Sequence, residues 1–217
     1  MSSITTKKKL LDSAIKLFNQ TGVVNVRLQH ISDDTIISLG NITYHFKTKD
    51  DIIHAIWLQI KEEQKILLSE FRIMPLFEDI DRYLSVSFHL QQKYIFFYQD
   101  ILEVVRAYPA IGLEHRLHVA WQEQQMSNMF IFNTARGAFV KEPYEDFYKI
   151  LASNWIWMFE NWMQRQQILS KDINDYQTFS QSLWNVLMPV FTSQGFNEFN
   201  QMLLLKTKLK DEFPLYP

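Results

Sequence analysis

An all-α fold follows from three features of the sequence. Glycine and proline number only five and six in 217 residues, apolar residues recur at three-and-four spacing between these breakers, and strand-like alternation is almost absent. A chain of this length forms one large or two small domains and buries roughly 70% of the surface its unfolded state exposes. It has no cysteine, which excludes disulfides, thiolate metal sites and cysteine nucleophiles and fits a reducing compartment.

The first helix is expected to begin near Thr5 or Thr6, each a suitable N-cap, and to run to Gly22 with Leu10, Leu11, Ala14, Ile15 and Phe18 as one apolar stripe. A short second helix opens at Asn25 or its neighbour, with Leu28 and Ile31 inward. A third follows the capping hydroxyl of Ser38 and holds Gly40, Ile42 and Phe46. From Lys49 a long helix continues to about Arg72, with Ile52, Ile53, Ile56, Trp57, Ile60, Ile66, Leu67 and Phe71 along one side. Met74-Pro75 then breaks the chain, because the residue before a proline disfavours helix.

Helical segments follow at about 76–91 and 94–108, and Pro109 starts another that reaches about 136 and ends around Gly137. The stretch 143–169 is the most aromatic. Tyr144, Phe147, Tyr148, Leu151, Trp155, Met158, Phe159 and Trp162 share one broad face there, widened by Trp157 and Met163. A helix at about 173–193 carries Phe179, Leu183, Leu187, Val190 and Phe191, and Pro189 kinks it or ends its regular hydrogen bonding. A last helix follows Gly195, and the tail FPLYP is irregular.

Charge is nearly balanced at −2 but unevenly placed, +2 over residues 1–60 and −4 over the rest. That falls well short of the isoelectric point above about 9 that marks an evidently nucleic-acid-binding domain. The N-terminus lacks an apolar signal core, and nowhere do about 18 apolar residues run together, so a cytoplasmic protein without membrane contact is expected. There is no HExxH, no glycine-rich phosphate loop, no GxSxG and no paired-carboxylate signature, so no enzyme and no cofactor are expected.

The three short N-terminal helices, the second and third joined by a four-residue turn at 35–38, fit the helix-turn-helix scheme of a homeodomain-like bundle. In that scheme the later helix enters the major groove with its N-terminal residues at the base edges. The segment Leu39–Lys49 has the residue types this requires. Gly40 permits close approach, Asn41 can bond base edges or phosphate, Ile42 and Phe46 face inward, and Lys47 and Lys49 can reach phosphates.

These residues resemble a known family. Leu17-Phe18 before Gly22, then Ile31, Ser38, Gly40-Asn41-Ile42, Tyr44-His45-Phe46-Lys47 and Lys49-Asp50, in that order, resemble the DNA-binding domain of TetR/AcrR-type transcriptional regulators over about residues 5–60. Four positions depart from the family pattern. Ile36 stands where the turn commonly has glycine, Arg27 where the second helix commonly starts on threonine or serine, Thr43 where a tyrosine is common, and Leu39 where a basic residue is common. Ile36 means that the turn either avoids a left-handed backbone or carries strain.

The resemblance implies a DNA-binding domain over 1–48 and a helical effector-binding and dimerisation domain over 49–217, linked by the helix at 49–72. It further implies a homodimer through helices at about 143–193, a palindromic operator, and a small-molecule effector of unread identity that relieves repression. Phosphate contacts are expected from Arg27, Thr43, Tyr44, Lys47 and Lys49, and base contacts from Leu39, Gly40 and Asn41 with Gln29 as helper. Ser38 and His45 complete the DNA set, although Tyr44-His45-Phe46 also reads as a packing corner, and Lys7-Lys8-Lys9 reads either as a phosphate-touching arm or as a solvated helix start.

Arg106, Trp121, Trp155 and Phe159 are the candidates for lining an effector pocket, against an ordinary packing or dimer-core role for the aromatic segment 154–159. Arg116, Arg136 and Arg165 also lie near apolar faces. Glu114, His115 and His118 have a spacing that can ligate a metal, but no further ligand is assigned and none is expected. Two other readings stay open: a helical ligand-binding or interaction protein that keeps the motif as a packing unit, and an activator without a small-molecule effector.

Overall fold

The computed structural model describes residues 3–70 and 75–212. Among them the chain forms α1 (Ser3–Thr21), α2 (Leu28–Thr35), α3 (Leu39–His45), α4 (Lys49–Glu70), α5 (Phe77–Lys93), α6 (Ile95–Gln99), α7 (Ile101–Ala107), α8 (Pro109–Ala135), α9 (Phe147–Glu160), α10 (Trp162–Ile168), α11 (Tyr176–Leu187) and α12 (Ser193–Glu212). No strand occurs among the described residues, only an isolated bridge between Phe139 and Phe191. No described helix is long and apolar enough to cross a membrane. The expected end of the long helix near Arg72, the break at Met74 and the tail FPLYP lie outside the described residues.

The chain divides into two compact units, the first built from Met1–Ile66, Phe88–His118 and Asn161–Asn174, the second from Leu67–Ser87, Val119–Glu160 and Asp175–Pro217. In the first, the stripe Leu10, Ala14 and Phe18 of α1 is fully or almost fully buried, as are Ile31 of α2 and Ile42 of α3. Each of these side chains other than Ala14 contributes about 1.5–3 kcal/mol of burial. Deeper in this unit Trp57 of α4 stacks on Phe97 of α6 at 5.2 Å, and the ring of His115 meets both edge-on at 5.4 and 5.6 Å. Gln64 joins His118 to the Tyr98 hydroxyl, 2.6 Å from His118 Nε2 and donating at 2.7 Å to the hydroxyl. Burial pushes both histidines down to about 4. Glu114 accepts from Lys61, His54 and Trp57, and those hydrogen bonds hold its carboxyl down at about 2. Among the described residues no three His, Asp or Glu side chains are grouped as metal ligands.

In the second unit Tyr83 and Trp155 both stack on Phe159, at 5.6 and 5.5 Å. Phe77, Phe139 and Phe191 form a neighbouring cluster, with Phe139 and Phe191 at 5.5 Å. Ion pairs at 2.6 Å tie Asp81 to Lys206 and Glu198 to Arg136.

Several boundaries differ from the sequence expectation for local reasons. Helix α1 starts before Thr5 and Thr6, which lie inside it. The segment 94–108 is two helices, parted at Asp100 with φ −115 and ψ 30. The aromatic segment starts at Phe147 because Asp146 has a left-handed φ of 62, and it is interrupted at Asn161. Trp157 is 69% exposed and Ile66 52%, so neither belongs to the buried face assigned to it. At Pro189 regular α-helix gives way to a single 3-10 turn, Met188–Val190. Helix α12 begins ahead of Gly195, because the Thr192 hydroxyl accepts the Gly195 N–H at 3.2 Å and caps it. Gly195 serves close approach instead, since a Cβ there would fall 2.2 Å from the Ala138 carbonyl oxygen.

Candidate nucleic-acid interface

Helix α3 and its turn are built by a small number of identifiable bonds. Ser38 is extended at φ −60, ψ 146 and its hydroxyl accepts from the Asn41 N–H at 3.4 Å, which starts the helix. Ile42 inserts its side chain fully into the bundle, and Phe46 is buried at the C-terminal end beneath the Lys7 ammonium, 5.9 Å from the ring centre. What remains outward is Leu39, Gly40, Asn41, Thr43 and Tyr44, all exposed, with His45 half-buried and in edge contact with the Tyr44 ring at 5.1 Å. A Cβ on Gly40 would meet no atom of the protein within 4 Å, so no packing inside the chain requires glycine there.

The turn before α3 is the strained part of the head. Ile36 lies in the left-handed region at φ 58, ψ 35, a conformation that costs a β-branched residue about 1–2 kcal/mol, and its side chain is 92% exposed. Neighbouring bonds hold it there. The Ile36 N–H donates to the Ser32 carbonyl, the Ser32 hydroxyl donates to the Ile37 carbonyl at 2.7 Å, and the Lys9 ammonium donates to the Thr35 carbonyl at 2.8 Å. Of the sequence's two options for this turn, the strained left-handed one is realised. Lys9 thus works as an internal clamp from within α1, a role that composition alone does not announce.

The other candidates take distinct places around α3. Arg27, exposed, precedes α2, and its backbone N–H donates to His30 Nδ1 at 3.2 Å. Gln29 is exposed and donates to Asp33 at 2.7 Å, and Thr43 donates to the Gly40 carbonyl at 3.1 Å. Lys47 is exposed just past α3. Lys49 donates to the Val23 and Val26 carbonyls at 2.9 and 3.0 Å, leaving one N–H for an outside acceptor, and burial lowers its pKa. Asp34, whose carboxyl lies below the usual range through hydrogen bonds from Lys16 and then Ser13, ties α2 to α1.

The effector candidates are less concentrated. Arg106 is exposed on α7 in the first unit, whereas Trp121, half-buried, and Trp155 and Phe159, fully buried, belong to the second. Arg116 and Arg165 are exposed; Arg136 pairs with Glu198. An open groove of about 420 Å³ runs between α8 and α9 of the second unit, lined by Glu123, Ser127, Lys149, Ile150 and Ser153 among others, and none of the four candidates lines it.

Comparison with known proteins agrees with this geometry. Residues 10–56 match the family of bacterial regulatory proteins named tetR, and residues 52–199, more than half of the chain, match the TetR family described as bacterial transcriptional repressor. The HTH-type transcriptional regulator AcrR of Shigella flexneri is 38% identical over 52 residues, 24% of either chain. The probable acrEF/envCD operon repressor of Escherichia coli K12 is 33% identical over 57 residues, 26% of either chain. The aligned stretch therefore spans about a quarter of the length of these curated relatives. A TetR-family transcriptional regulator from Marinobacter aquaeolei VT8 has the same fold, with a TM-score of 0.83 at 24% identity, covering 96% of this chain and 98% of that one. With its helix-turn-helix and the greater part of its remaining length both matched, this protein belongs to the TetR family of bacterial transcriptional regulators.

Proposed function

We propose that this protein is a ligand-responsive transcriptional repressor that acts in the cytoplasm as a homodimer on a palindromic operator. The observation that carries the reading is the outward face of α3, where Leu39, Gly40 and Asn41 stand exposed beside a capping serine while Ile42 and Phe46 anchor the helix from behind. No packing at Gly40 requires its bareness within the described chain, and the exposed face suits insertion in a major groove. In this reading residues 1–48 form the DNA-binding domain and 49–217 the effector and dimerisation domain. Gln29 assists the base contacts of α3. Arg27, Thr43, Tyr44 and Lys47 hold phosphates, with Ser38, His45 and the remaining donor of Lys49 at the rim.

Dimerisation falls to the helices within 143–193. Ile150 and Trp157 of α9, 49% and 69% exposed, lie on one stripe with exposed Asn154 between them, an apolar face suited to a symmetric contact. The effector enters the helical domain, for which Trp121, Trp155 and Phe159 are candidates in the second unit and Arg106 is a separate candidate in the first. It lowers DNA affinity only by its differential affinity for the two arrangements of the reading heads. Titrating the purified protein against duplex from its own upstream region and against shuffled duplex, over a range of salt, tests this. Preference for the upstream duplex with a steep negative slope of log affinity on log salt is expected; absent or salt-insensitive binding to all duplexes would leave a helical interaction protein.

A further inference from the structure

The reading face carries a chemistry that selects among base pairs. From Leu28 to Phe46, the whole of α2, the turn and α3, there is no lysine or arginine. Guanine is most often read by a guanidinium or ammonium on O6 and N7, and cytosine by a carboxylate accepting from N4. Of the nearby cations, Lys9 is engaged on the Thr35 carbonyl, Lys16 on Asp34 and Lys49 on the Val23 and Val26 carbonyls, while Arg27 and Lys47, exposed at the two ends of the segment, are assigned to phosphates. The two carboxylates of the segment are engaged too, Asp33 accepting from Gln29 and Asp34 from Ser13 and Lys16.

Three groups stand outward at the leading end of α3 and in the turn before it, with other preferences. Asn41 is exposed, and a carboxamide matches the N6 and N7 edge of adenine with two hydrogen bonds. Leu39 is 40% exposed and Ile36 92% exposed, and an apolar side chain in the major groove finds its match in the thymine 5-methyl group. Ile36 is the more telling of the two, because the fold holds a branched apolar side chain in a left-handed turn without burying it. Strain persists where the surroundings over-determine it, and here Ser32 and Lys9 do so.

We propose that the recognition helix selects A·T base pairs, with Asn41 on adenine and Ile36 and Leu39 on thymine methyl groups, so that Ile36 is a specificity residue. This rests on the DNA-binding reading above. Selection by the purified full-length protein from duplexes with a randomised central segment is the test, followed by replacement of single thymines in the enriched duplex with deoxyuridine, which removes only the methyl group. Enriched half-sites with A·T pairs at their core are expected. At least one thymine should lose about three- to fivefold in affinity on demethylation, the scale of one buried methyl group. Ile36→Gly removes the contact from both half-sites, so it should weaken binding to the thymine duplex by about ten- to twenty-fivefold, the square of that factor, and abolish the sensitivity at one position of each half-site. Half-sites with a G·C core, indifference to uracil, or an Ile36→Gly variant with unchanged affinity and unchanged uracil sensitivity would each overturn the inference while leaving the regulator intact. Failure to enrich any sequence would overturn the regulator reading itself.

Discussion

Replacing Ile36 with glycine is expected to stabilise the protein although it deletes a large apolar side chain. A left-handed backbone costs a non-glycine residue about 1–2 kcal/mol, which glycine does not incur. Against this, glycine enlarges the conformational entropy of the unfolded chain by about 0.4–1 kcal/mol. Burial contributes little to the balance, since the side chain is 92% exposed. The net expectation is a gain of about 0.5–1 kcal/mol, or about 1–4 °C in melting temperature for a chain of this size. Urea unfolding followed by circular dichroism, with the melting curve alongside, measures it. Ile36→Asn, which tolerates the left-handed region, should fall between glycine and the parent, while Ile36→Ala keeps the Cβ and with it much of the strain. A glycine variant no more stable than the parent, or an alanine variant stabilised as much as glycine, would refute backbone strain as the cost at this turn.

The remaining expectations concern both units and the interface. Gly195→Ala forces a Cβ against the Ala138 carbonyl oxygen, and a loss of about 1–3 kcal/mol is expected in urea unfolding; an unchanged midpoint would show that α12 shifts freely. Stability should fall as pH drops from about 6.5 to about 4. Over that range the unfolded chain protonates His115 and His118 while burial keeps them neutral in the fold, so the unfolded state binds more protons. The stabilisation from Glu114, fully present above about 4.5, is lost only as pH falls towards about 2, so His115→Phe should flatten the profile between 6.5 and 4.5 while Glu114 still contributes. Lys47→Ala should weaken binding to every duplex and reduce the salt slope by about 1.8, the loss of one phosphate contact from each protomer of the dimer, whereas a slope identical to the parent would remove Lys47 from the phosphate set.

Much of the architecture is legible in the sequence because it follows from apolar periodicity. The stripe of α1, the anchors Ile31 and Ile42, the Ser38 cap and the start of α8 at Pro109 need only local pattern and capping chemistry. The misplacements occur where a tertiary contact decides. Gly195 looks like a helix boundary but sits inside α12, because Thr192 caps the helix and Ala138 leaves no room for a Cβ. Trp157 fits an apolar helical face yet is exposed, since periodicity reports amphipathicity and not which neighbour is present. At the reading head the exposed face of α3 is readable from residue type and spacing. The internal duties of Lys9 and Lys49 are not, because each reaches a backbone carbonyl more than twenty residues away. Effector-lining residues are the least legible, as an aromatic run such as 154–159 serves a core and a pocket equally well.

Gly40 offers the most direct check on whether the face of α3 meets DNA. A Cβ added there meets nothing within 4 Å and the position is exposed, and replacing glycine within a helix favours folding by up to about 1 kcal/mol. Gly40→Leu should therefore keep or raise the melting temperature while abolishing preferential binding to the upstream duplex. A variant that melts like the parent and still binds that duplex with full affinity would contradict recognition through this helix.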